Sequence, residues 1–571
     1  MDALSTFPPA LILLVGALLV ACLPVAAGRM IAVVAPAVAL WQVACGLAPN
    51  VTLPFLDYEL VVVRADPLSL VFGGIFALIG IIAGVYAWHA HQRGHTVAAL
   101  IYNAGALGVT FAGDMITLYA FWELMAVASV VLIWSRGTPA AHAAGRRYIL
   151  VHLAGGSALL AGILLYAADS GSIAFDTFEA GTRGAWLVLA GFCLNAALPP
   201  LGAWLPDAYP QATITGAIYL SSLTTKTAVY ALLRGFAGWE ILVAAGVIMA
   251  LYGVVYAVLA NNIRELLAYH IISQVGYMVA GAGIGTEMAI NGAAAHAVCH
   301  ILYKSLLFMG AGVVLHTTGR ECLTELGGFW RRQKLVFGLY MIGAFSISGF
   351  PGWNGFVSKS MVIAAAGEAH LEWVFLLLTL ASVGTFLHTG LKLPYFTWMG
   401  PESEIQPKPV PVNMIAGMAL SAFFCTFIGL QPGLLYKLLP HQVHFDPYTA
   451  THLVETIQIL VFTALAFWLF IPSLGGERTV SMDTDVLYRK TAGPLRLVFV
   501  DAVSALFQGV QSTAELGAKI AADAVRDPTT WLEGRIRRGG NYDADRHRAA
   551  VALPLTLTLI TLVAIVLWSM A

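Results

Sequence analysis

Five ionisable residues lie inside long apolar runs of this sequence. They are Glu123, Lys226, Lys304, Lys359 and Lys392. A charge at the centre of a bilayer costs about 2.5–3.5 kcal/mol on insertion scales, so together they would cost on the order of 10 kcal/mol if they faced lipid. For Lys359 and Lys392, which lie nearer a break or a span end, snorkelling to the interface is the alternative. The pattern predicts a hydrated interior through which protons or small cations move.

Two histidines and a lysine recur at a spacing of four. His296, His300 and Lys304 therefore share one face of a helix. Histidine titrates near neutral pH, so this row could pass a proton along through intervening water. The alternative is a zinc site, because histidines four residues apart can bind metal. No carboxylate stands at ligand spacing, although Cys299 is adjacent, and the pattern favours the proton relay.

Three further histidines stand alone in apolar segments: His152, His270 and His388. A single histidine in such a position is more often a packing residue with satisfied hydrogen bonds than a functional group. We therefore predict packing roles for these three and leave a functional role as the alternative.

Composition restricts the class of protein. Hydrophobic residues make up 59% of the 571 positions and charged residues 11%, with 30 basic and 31 acidic side chains. A soluble domain carries about 25% charged residues. The net charge of −1 provides no basic surface for nucleic acid. There is no CxxC spacing, Walker A loop or dinucleotide-binding GxGxxG motif, so we predict no cofactor and no metal. Energy must come from an ion gradient or a partner subunit.

Apolar runs of about 20 residues recur along the chain, the length that crosses a bilayer. They predict an all-α polytopic membrane protein with about 16 transmembrane helices. The predicted spans are 10–27, 29–48, 67–88, 97–113, 115–134, 147–168, 184–205, 214–235, 238–260, 264–284, 291–316, 334–363, 371–396, 411–432, 452–472 and 551–570.

Basic residues in short loops predict the orientation, because such loops stay in the cytoplasm. Alternate loops hold Arg93, the group at 136–147 and the group at 331–334, whereas the loops at 169–179 and 368–372 are acidic. This asymmetry places the N-terminus outside. With an even number of spans the C-terminus is outside as well.

Proline interrupts two of the predicted spans, at residues 198–201 (LPPL) and 349–352 (GFPG). Broken helices in corresponding positions of two halves indicate an inverted-repeat transporter with its site near the bilayer midplane. Ordinary kinking is the alternative, since proline is common in membrane helices. A polar stretch at 474–550 contains helical periodicity over 495–525 and predicts an amphipathic helix at the membrane surface.

At these residues the sequence resembles the D subunits of Mrp-type multisubunit cation/proton antiporters, and the antiporter-like subunits of respiratory complex I and membrane-bound hydrogenases. The resemblance is strongest from about 115 to 365. The segments that carry it are FWELMAVAS, PPLGAWLPDAYPQATITGAIYLSSLTTKTAVYALLRGF, NNIRELLAYHIISQVGYM, AAAHAVCHILYKSLLFMGAG and GFPGWNGFVSKS.

The resemblance implies two inverted five-helix repeats, each with a broken helix. The implied organisation is N-terminal helices at 1–96, a first half-channel at 97–235, a second half-channel at 238–396, peripheral helices at 411–472, the polar segment at 474–550 and a last helix at 551–571. It also implies a bacterial inner membrane and other membrane subunits as partners.

The resemblance further implies roles for the buried residues. Glu123 and Lys226 correspond to the glutamate and the span-8 group of the first half-channel. His296, His300 and Lys304 correspond to the span-11 groups of the second, and Lys359 to its span-12 residue. Lys392 lies in span 13, the repeat counterpart of the span that carries Lys226.

Two positions depart from the family pattern. Asn195 stands where the family usually has a lysine before its span-7 segment, and asparagine cannot carry a proton. Arg264 replaces a common lysine pattern, and arginine stays charged, so we predict a fixed charge there. Glu123 therefore lacks its usual cationic partner in the first half.

The expected function is proton translocation in a multisubunit Na⁺/H⁺ or K⁺/H⁺ antiporter, without enzymatic activity of this chain. One alternative is a pumping subunit of a complex I-like or hydrogenase-type redox complex. Another is a scaffold subunit whose first half-channel is inactive. The sequence contains no side-chain cluster that distinguishes sodium from potassium.

Overall fold

The computed structural model describes residues 5–475 except 91, together with residues 483–484, 486, 501–526, 528–529 and 557–562. The chain divides after Thr484 into two units. Within the described residues the first unit is almost entirely helical. Ten of these described helices are long and apolar enough to cross a bilayer. The chain is thus a polytopic helical membrane protein.

Eleven of the described α-helices precede residue 260. They are α1 (Pro9–Cys22), α2 (Val25–Cys45), α3 (Pro67–Tyr86), α4 (Arg93–Phe111), α5 (Met115–Trp134), α6 (Pro139–Ser170), α7 (Arg183–Asn195), α8 (Trp204–Ala208), α9 (Gly216–Ser222), α10 (Thr224–Gly235) and α11 (Glu240–Leu259).

The remaining helices follow. They are α12 (Ile263–Ile284), α13 (Glu287–Thr318), α14 (Lys334–Ser348), α15 (Asn354–Glu368), α16 (Glu372–Thr385), α17 (Val412–Leu430), α18 (Pro432–Tyr436), α19 (Ala450–Leu474) and, in the second unit, α20 (Ala502–Arg526). After α16 the chain continues as two π-helical segments, Phe386–Lys392 and Tyr395–Met399.

Six of the sixteen predicted spans are absent from the ten long helices, each for an identifiable reason. Helix α1 has only 14 residues, and α4 contains polar side chains. Three spans are divided into shorter helices: 184–205, 214–235 and 334–363. The last span, 551–570, lies mostly outside the described residues, of which 557–562 are helical.

A two-stranded hairpin qualifies the all-α prediction. Strand β1 (Asn50–Phe55) pairs antiparallel with β2 (Tyr58–Arg64), and the register shifts between Val51 and Thr52. Its second strand is joined to the start of α5, because the Val61 backbone N–H donates to a carboxylate oxygen of Asp114 at 2.9 Å. The hydropathy pattern predicts only a connection between spans over this stretch.

Asp66 fixes the start of α3 from outside the span. Its carboxylate accepts from the Ser69 backbone N–H at 3.0 Å and pairs with Arg234 at 2.7 Å. Burial alone would raise the pKa of Asp66, but Arg234, the Ser69 N–H and Arg64 outweigh burial and hold that pKa below its usual range. The N-terminal end of α3 is therefore tied to the C-terminal end of α10.

Helices α12 and α13 form the centre of the first unit and are almost entirely buried. Helix α11 packs closely on α12 through glycines. A Cβ added at Gly246 would lie 2.5 Å from the Gly276 carbonyl oxygen, and one at Gly253 would lie 2.4 Å from the Ser273 nitrogen. Small residues let membrane helices approach until their backbones touch. This packing places α13, which carries the histidine row, in the interior.

Both proline-containing spans are interrupted in the structure. Helix α7 ends at Asn195, and α8 begins only at Trp204. Helix α14 ends at Ser348, and α15 begins at Asn354. Gly349, at the second interruption, has a φ of 74°, a conformation in which glycine is favoured.

The polar stretch 474–550 lies largely outside the described residues. Within it α20 runs from Ala502 to Arg526, close to the helical periodicity predicted over 495–525. Its position at a membrane surface stays a prediction.

Candidate functional site

Lys226 lies at a break between two short helices. The span that carries it is divided at Leu223, between α9 and α10. The Lys226 side chain is completely buried, and its Nζ donates to the Ser221 carbonyl at 2.5 Å and to the Thr225 hydroxyl at 3.1 Å. The last carbonyls of a helix have no partner within the helix and carry partial negative charge. The break therefore provides Lys226 with an acceptor.

Lys359 and Lys392 have the same kind of partner. The Lys359 Nζ donates to the Ile347 carbonyl at 2.7 Å, in the last turn of α14. The Lys392 Nζ donates to the Val258 carbonyl at 2.6 Å, in the last turn of α11. Each of these lysines is buried and makes no ion pair among the described residues. Three predicted site lysines thus donate hydrogen bonds to the C-terminal ends of helices, which carry partial negative charge. Each acceptor lies where the helical structure is interrupted.

Lys304 differs from the other lysines because it lies in the middle of α13. His296, His300 and Lys304 are all completely buried on this 32-residue helix. The Lys304 Nζ and both ring nitrogens of His300 have no hydrogen-bond partner among the described residues. Buried polar atoms are nearly always satisfied by protein or water, so this stretch of α13 is where ordered water would be needed.

A hydrogen-bonded network extends from His296 toward the π-helical segment. The His296 Nε2 lies 3.4 Å from the Tyr303 hydroxyl, which donates to the Gln274 Oε1 at 3.3 Å. The Gln274 amide donates to the Thr385 hydroxyl at 3.5 Å, and that hydroxyl lies 3.2 Å from the His270 Nε2. These residues come from α12, α13 and α16, so the network crosses the centre of the second half.

The network continues to Lys392 through a second imidazole. The rings of His270 and His388 have centroids 4.9 Å apart. His388 lies within electrostatic range of Lys392 and of Lys304. The isolated positions of His270 and His388 in the sequence predict packing roles, but the structure places both rings between the predicted site residues. A signal for these positions is present in the sequence. His270 lies four residues before Gln274, and His388 lies four residues before Lys392, which is the spacing of residues on one helix face.

The two halves meet at Lys226 and Lys304. These lysines interact electrostatically, and His300 lies in range of both. His296 in turn lies in range of Lys359. The structure therefore brings five of the seven predicted site residues into one electrostatically connected row: Lys226, Lys304, His300, His296 and Lys359. Lys392 joins it through His388.

Glu123 occupies a separate position in the first half. It is half-buried on α5, and its Oε1 lies against α6, so close that a Cβ at Gly156 would be 1.8 Å from it. Neither a hydrogen bond nor an ion pair joins Glu123 to Lys226 among the described residues. Asn195 is buried at the end of α7, and its side chain faces His152. Direct contact thus does not connect the first-half carboxylate to the row.

A cavity of about 110 Å³ lies beside Lys359. Helix α19 closes one side of it, and several polar side chains line it. They are Ser360, Thr379, Ser382, His452, Glu455 and Thr456. The cavity provides a polar environment next to the charged end of Lys359. Among the described residues no group of three or more His, Cys, Asp or Glu side chains is placed to hold a metal ion.

The fold and the buried row define a class: a polytopic helical membrane protein whose core carries connected ionisable side chains. Residues 112–386 match the family described as NADH:quinone oxidoreductase/Mrp antiporter, TM. This match confirms the resemblance found in the sequence.

The chain is also similar to curated relatives in sequence and to a solved structure in fold. The chain is 34% identical over 285 residues to the Na⁺/H⁺ antiporter D subunit of Alkalihalophilus pseudofirmus, covering 46% of this chain and 57% of that one. It is 26% identical over 439 residues to hydrogenase-4 component B of Escherichia coli, covering 68% and 65% respectively. A chain of the Mrp complex from Dietzia sp. shares the fold, with a TM-score of 0.70 and 22% identity over 81% of this chain and 100% of that one.

Proposed function

We propose that this chain is a proton-translocating membrane subunit of a multisubunit monovalent cation/proton antiporter. The observation that carries the proposal is the row of buried ionisable side chains from Lys226 to Lys392, which is held in the core without acidic partners among the described residues. Intramembrane ionisable residues are expensive and mark ion pathways. The relatedness to the D subunit of a Na⁺/H⁺ antiporter supports the same function.

In this proposal the working residues are Glu123, Lys226, His296, His300, Lys304, Lys359 and Lys392. A proton taken up at one group changes the energy of charging the next, because Coulomb interactions are strong at low effective dielectric. Lys304 would be the central step, because it interacts electrostatically with both Lys226 and His300 and has no helix end to stabilise its charge.

The proposed architecture has sixteen spans, including two inverted five-helix repeats at 97–235 and 238–396. The interruption of α7 in the first and that of α14–α15 in the second support the repeat. Helices at 1–96 and 411–472 would be peripheral, 474–550 would lie at the interface, and 551–571 would form the last span. Both termini would face outward from a bacterial inner membrane.

The transported cation would be Na⁺ or K⁺, and the partners would be other membrane subunits of a hetero-oligomeric complex. The relatedness to a Na⁺/H⁺ antiporter supports Na⁺. The lipid bilayer surrounds the assembly in this proposal, and neither nucleic acid nor a cofactor takes part.

A second candidate function is proton pumping within a redox complex, where this chain would do no electron chemistry. The match to a family described by NADH:quinone oxidoreductase as well as Mrp antiporters and the relatedness to hydrogenase-4 component B favour it. Copurifying chains separate the two functions. Small antiporter subunits would support the first function, and hydrogenase or quinone-reducing subunits would support the second.

The test replaces Lys304 by alanine in the assembled complex. Cation-driven dissipation of a pH gradient in inverted vesicles should fall by at least about 100-fold, the scale expected for loss of a proton-transfer group. Lys437→Ala is the matched control, because Lys437 is exposed. Wild-type antiport by an assembled K304A complex would show that the row does not translocate protons.

A further inference from the structure

His152 is a buried imidazole that the proposed row does not use. It lies on α6 and is almost completely inaccessible to solvent. Its ring packs against two aromatic rings, with centroid distances of 4.1 Å to Tyr148 and 4.6 Å to Trp204, and these two rings also contact each other. The indole N–H of Trp204 donates to the Leu194 carbonyl at 3.0 Å, which holds that wall of the pocket in place. The ring is therefore fixed in one position.

On one side, His152 is close to the isolated carboxylate of the first half. Gly156 follows His152 by four residues, which is about 6 Å along the helix axis and on the same face. The Glu123 carboxylate lies directly against Gly156, as the 1.8 Å separation from an added Cβ shows. The Nε2 atom of His152 and the Oε1 atom of Glu123 are both buried without a hydrogen-bond partner among the described residues.

On the other side, His152 leads toward Lys226. The Tyr148 ring is tilted against the imidazole, and its hydroxyl hydrogen-bonds to Ser129 at 2.9 Å and faces the Thr224 hydroxyl. Thr224 begins α10, the helix on which the neighbouring Thr225 hydroxyl accepts from the Lys226 Nζ at 3.1 Å. The Tyr148 hydroxyl thus faces the helix that carries the start of the buried row.

Asn195 faces the same imidazole from the end of α7. An amide can hydrogen-bond to a ring nitrogen, but it does not take up or release a proton. Unlike Asn195, His152 can both accept and release a proton near neutral pH. The ionisable side chains around this route in the described part of the chain include Glu123 from α5, Tyr102 from α4, Tyr148 on α6 itself, Tyr209, and Lys226 from α10.

We infer that His152 carries protons between Glu123 and Lys226 and so connects the first half-channel to the central row. The inference rests on the proposed function. One ring nitrogen accepts a proton that Glu123 releases, and the other returns one proton toward Lys226 through the hydroxyl groups and bridging water. After each transfer the imidazole is neutral again but in its other tautomer, and proton exchange through bridging water restores the first tautomer, so no other reactant is consumed.

The test compares two replacements that remove the titratable group in different ways. His152→Phe keeps an aromatic ring against Tyr148 and Trp204, and His152→Gln keeps hydrogen bonding. Each should slow antiport in inverted vesicles by about 10-fold or more, as expected for loss of a proton carrier. His142→Gln, on the exposed face of the same helix, is the control and should leave the rate unchanged.

A rescue variant separates proton carriage from packing. Asn195→Lys in the H152Q background places a titratable amine against the same pocket and should recover most of the lost rate. Antiport at the wild-type rate in an assembled H152F or H152Q complex would overturn the inference. So would a double variant that assembles and stays as slow as H152Q, because a group needed only for packing gains nothing from an added titratable amine.

K304A, measured in the same vesicles, distinguishes the two proposals. Loss of antiport in K304A with normal rates in H152F and H152Q would reject the role of His152 and leave the proposed function standing. Normal rates in all three would reject both.

Discussion

At the level of single side chains, three of the four lysines of the row follow one rule for their hydrogen-bond acceptors. Lys226, Lys359 and Lys392 each donate to the penultimate carbonyl of a helix, and the acceptors are Ser221, Ile347 and Val258. Helix C-terminal ends favour positive charge. The rule explains how three buried lysines are retained without carboxylate partners among the described residues, and it singles out Lys304 as the exception.

The Glu123 carboxylate occupies the space that a side chain at position 156 would fill. An alanine there would put Cβ 1.8 Å from the Glu123 Oε1, so the carboxylate must move. Because the obstacle is the end of a flexible side chain, we expect G156A to fold and assemble. Its antiport should fall by about 10-fold, since proton transfer depends on groups within hydrogen-bond reach. The measurement is cation-driven proton movement in vesicles with equal amounts of complex.

Gly155→Ala is the matched control on the same helix. Its Cβ would meet Leu194 methyl groups at 3.1 and 3.2 Å, which can shift slightly, and it does not approach Glu123. Equal losses in G155A and G156A would show that crowding of α6, and not the position of the carboxylate, causes the effect.

At the scale of elements, interruptions of the helices create the site. The gap between α14 and α15 exposes the Ile347 carbonyl that accepts from Lys359. Gly355 allows the two half-helices to cross, because an added Cβ would lie 1.7 Å from the Ser346 carbonyl oxygen. The backbone oxygen cannot move aside as a side chain can, so the crossing requires glycine at this position.

Gly355→Ala should therefore separate the half-helices and weaken the contact that holds Lys359. We expect a lower unfolding temperature of the purified complex and reduced antiport, because backbone groups in the membrane must stay paired. Gly367→Ala on the same helix is the control. Its Cβ would meet only Phe375 at 3.6 Å, and alanine in a helix favours stability by about 0.5–1 kcal/mol over glycine. Equal stability of G355A and wild type would contradict this account of the break.

At the scale of the molecule, Arg264 joins the two halves. It is almost completely buried at the start of α12, and its guanidinium donates to backbone carbonyls in the segment after α8. The distances are 2.7 Å to Pro210, 2.9 Å to Ala212 and 3.2 Å to Tyr209. The predicted role of a fixed charge has a structural counterpart here, because the planar group donates to three carbonyls of one short segment at once.

Arg264→Lys keeps the charge and loses the fork of donors, so at least one of these carbonyls should be left unpaired. An unsatisfied buried group costs about 1–3 kcal/mol. We expect a lower yield of assembled complex and a lower unfolding temperature, measured by thermal scanning of the purified complex. Arg320→Lys, at an exposed arginine, should have no effect. An R264K complex as stable as wild type would show that the two halves are held together by other contacts.

The sequence alone determined the class of the protein and the composition of its site. Apolar run length predicted a membrane protein because only about 20 apolar residues cross a bilayer core. Charges within those runs identified Lys226, Lys304 and Lys359 because lipid does not tolerate them unpaired. Prolines at 199 and 351 predicted the interruptions because proline removes a backbone donor. The family match confirms the class, and the roles of the site residues remain predictions.

Only the tertiary structure decided how these residues are connected. The contact between His270 and Thr385 joins positions 115 residues apart, and Lys392 reaches a carbonyl 134 residues away. The spacing of residues within one helix predicts which face they share, but not which face of another helix they meet. In the second half, the packing of helices α11 to α16 determines which helix faces meet. In the first half, packing of α6 places His152 against Tyr148 and Trp204, where the sequence showed only a single histidine in an apolar run.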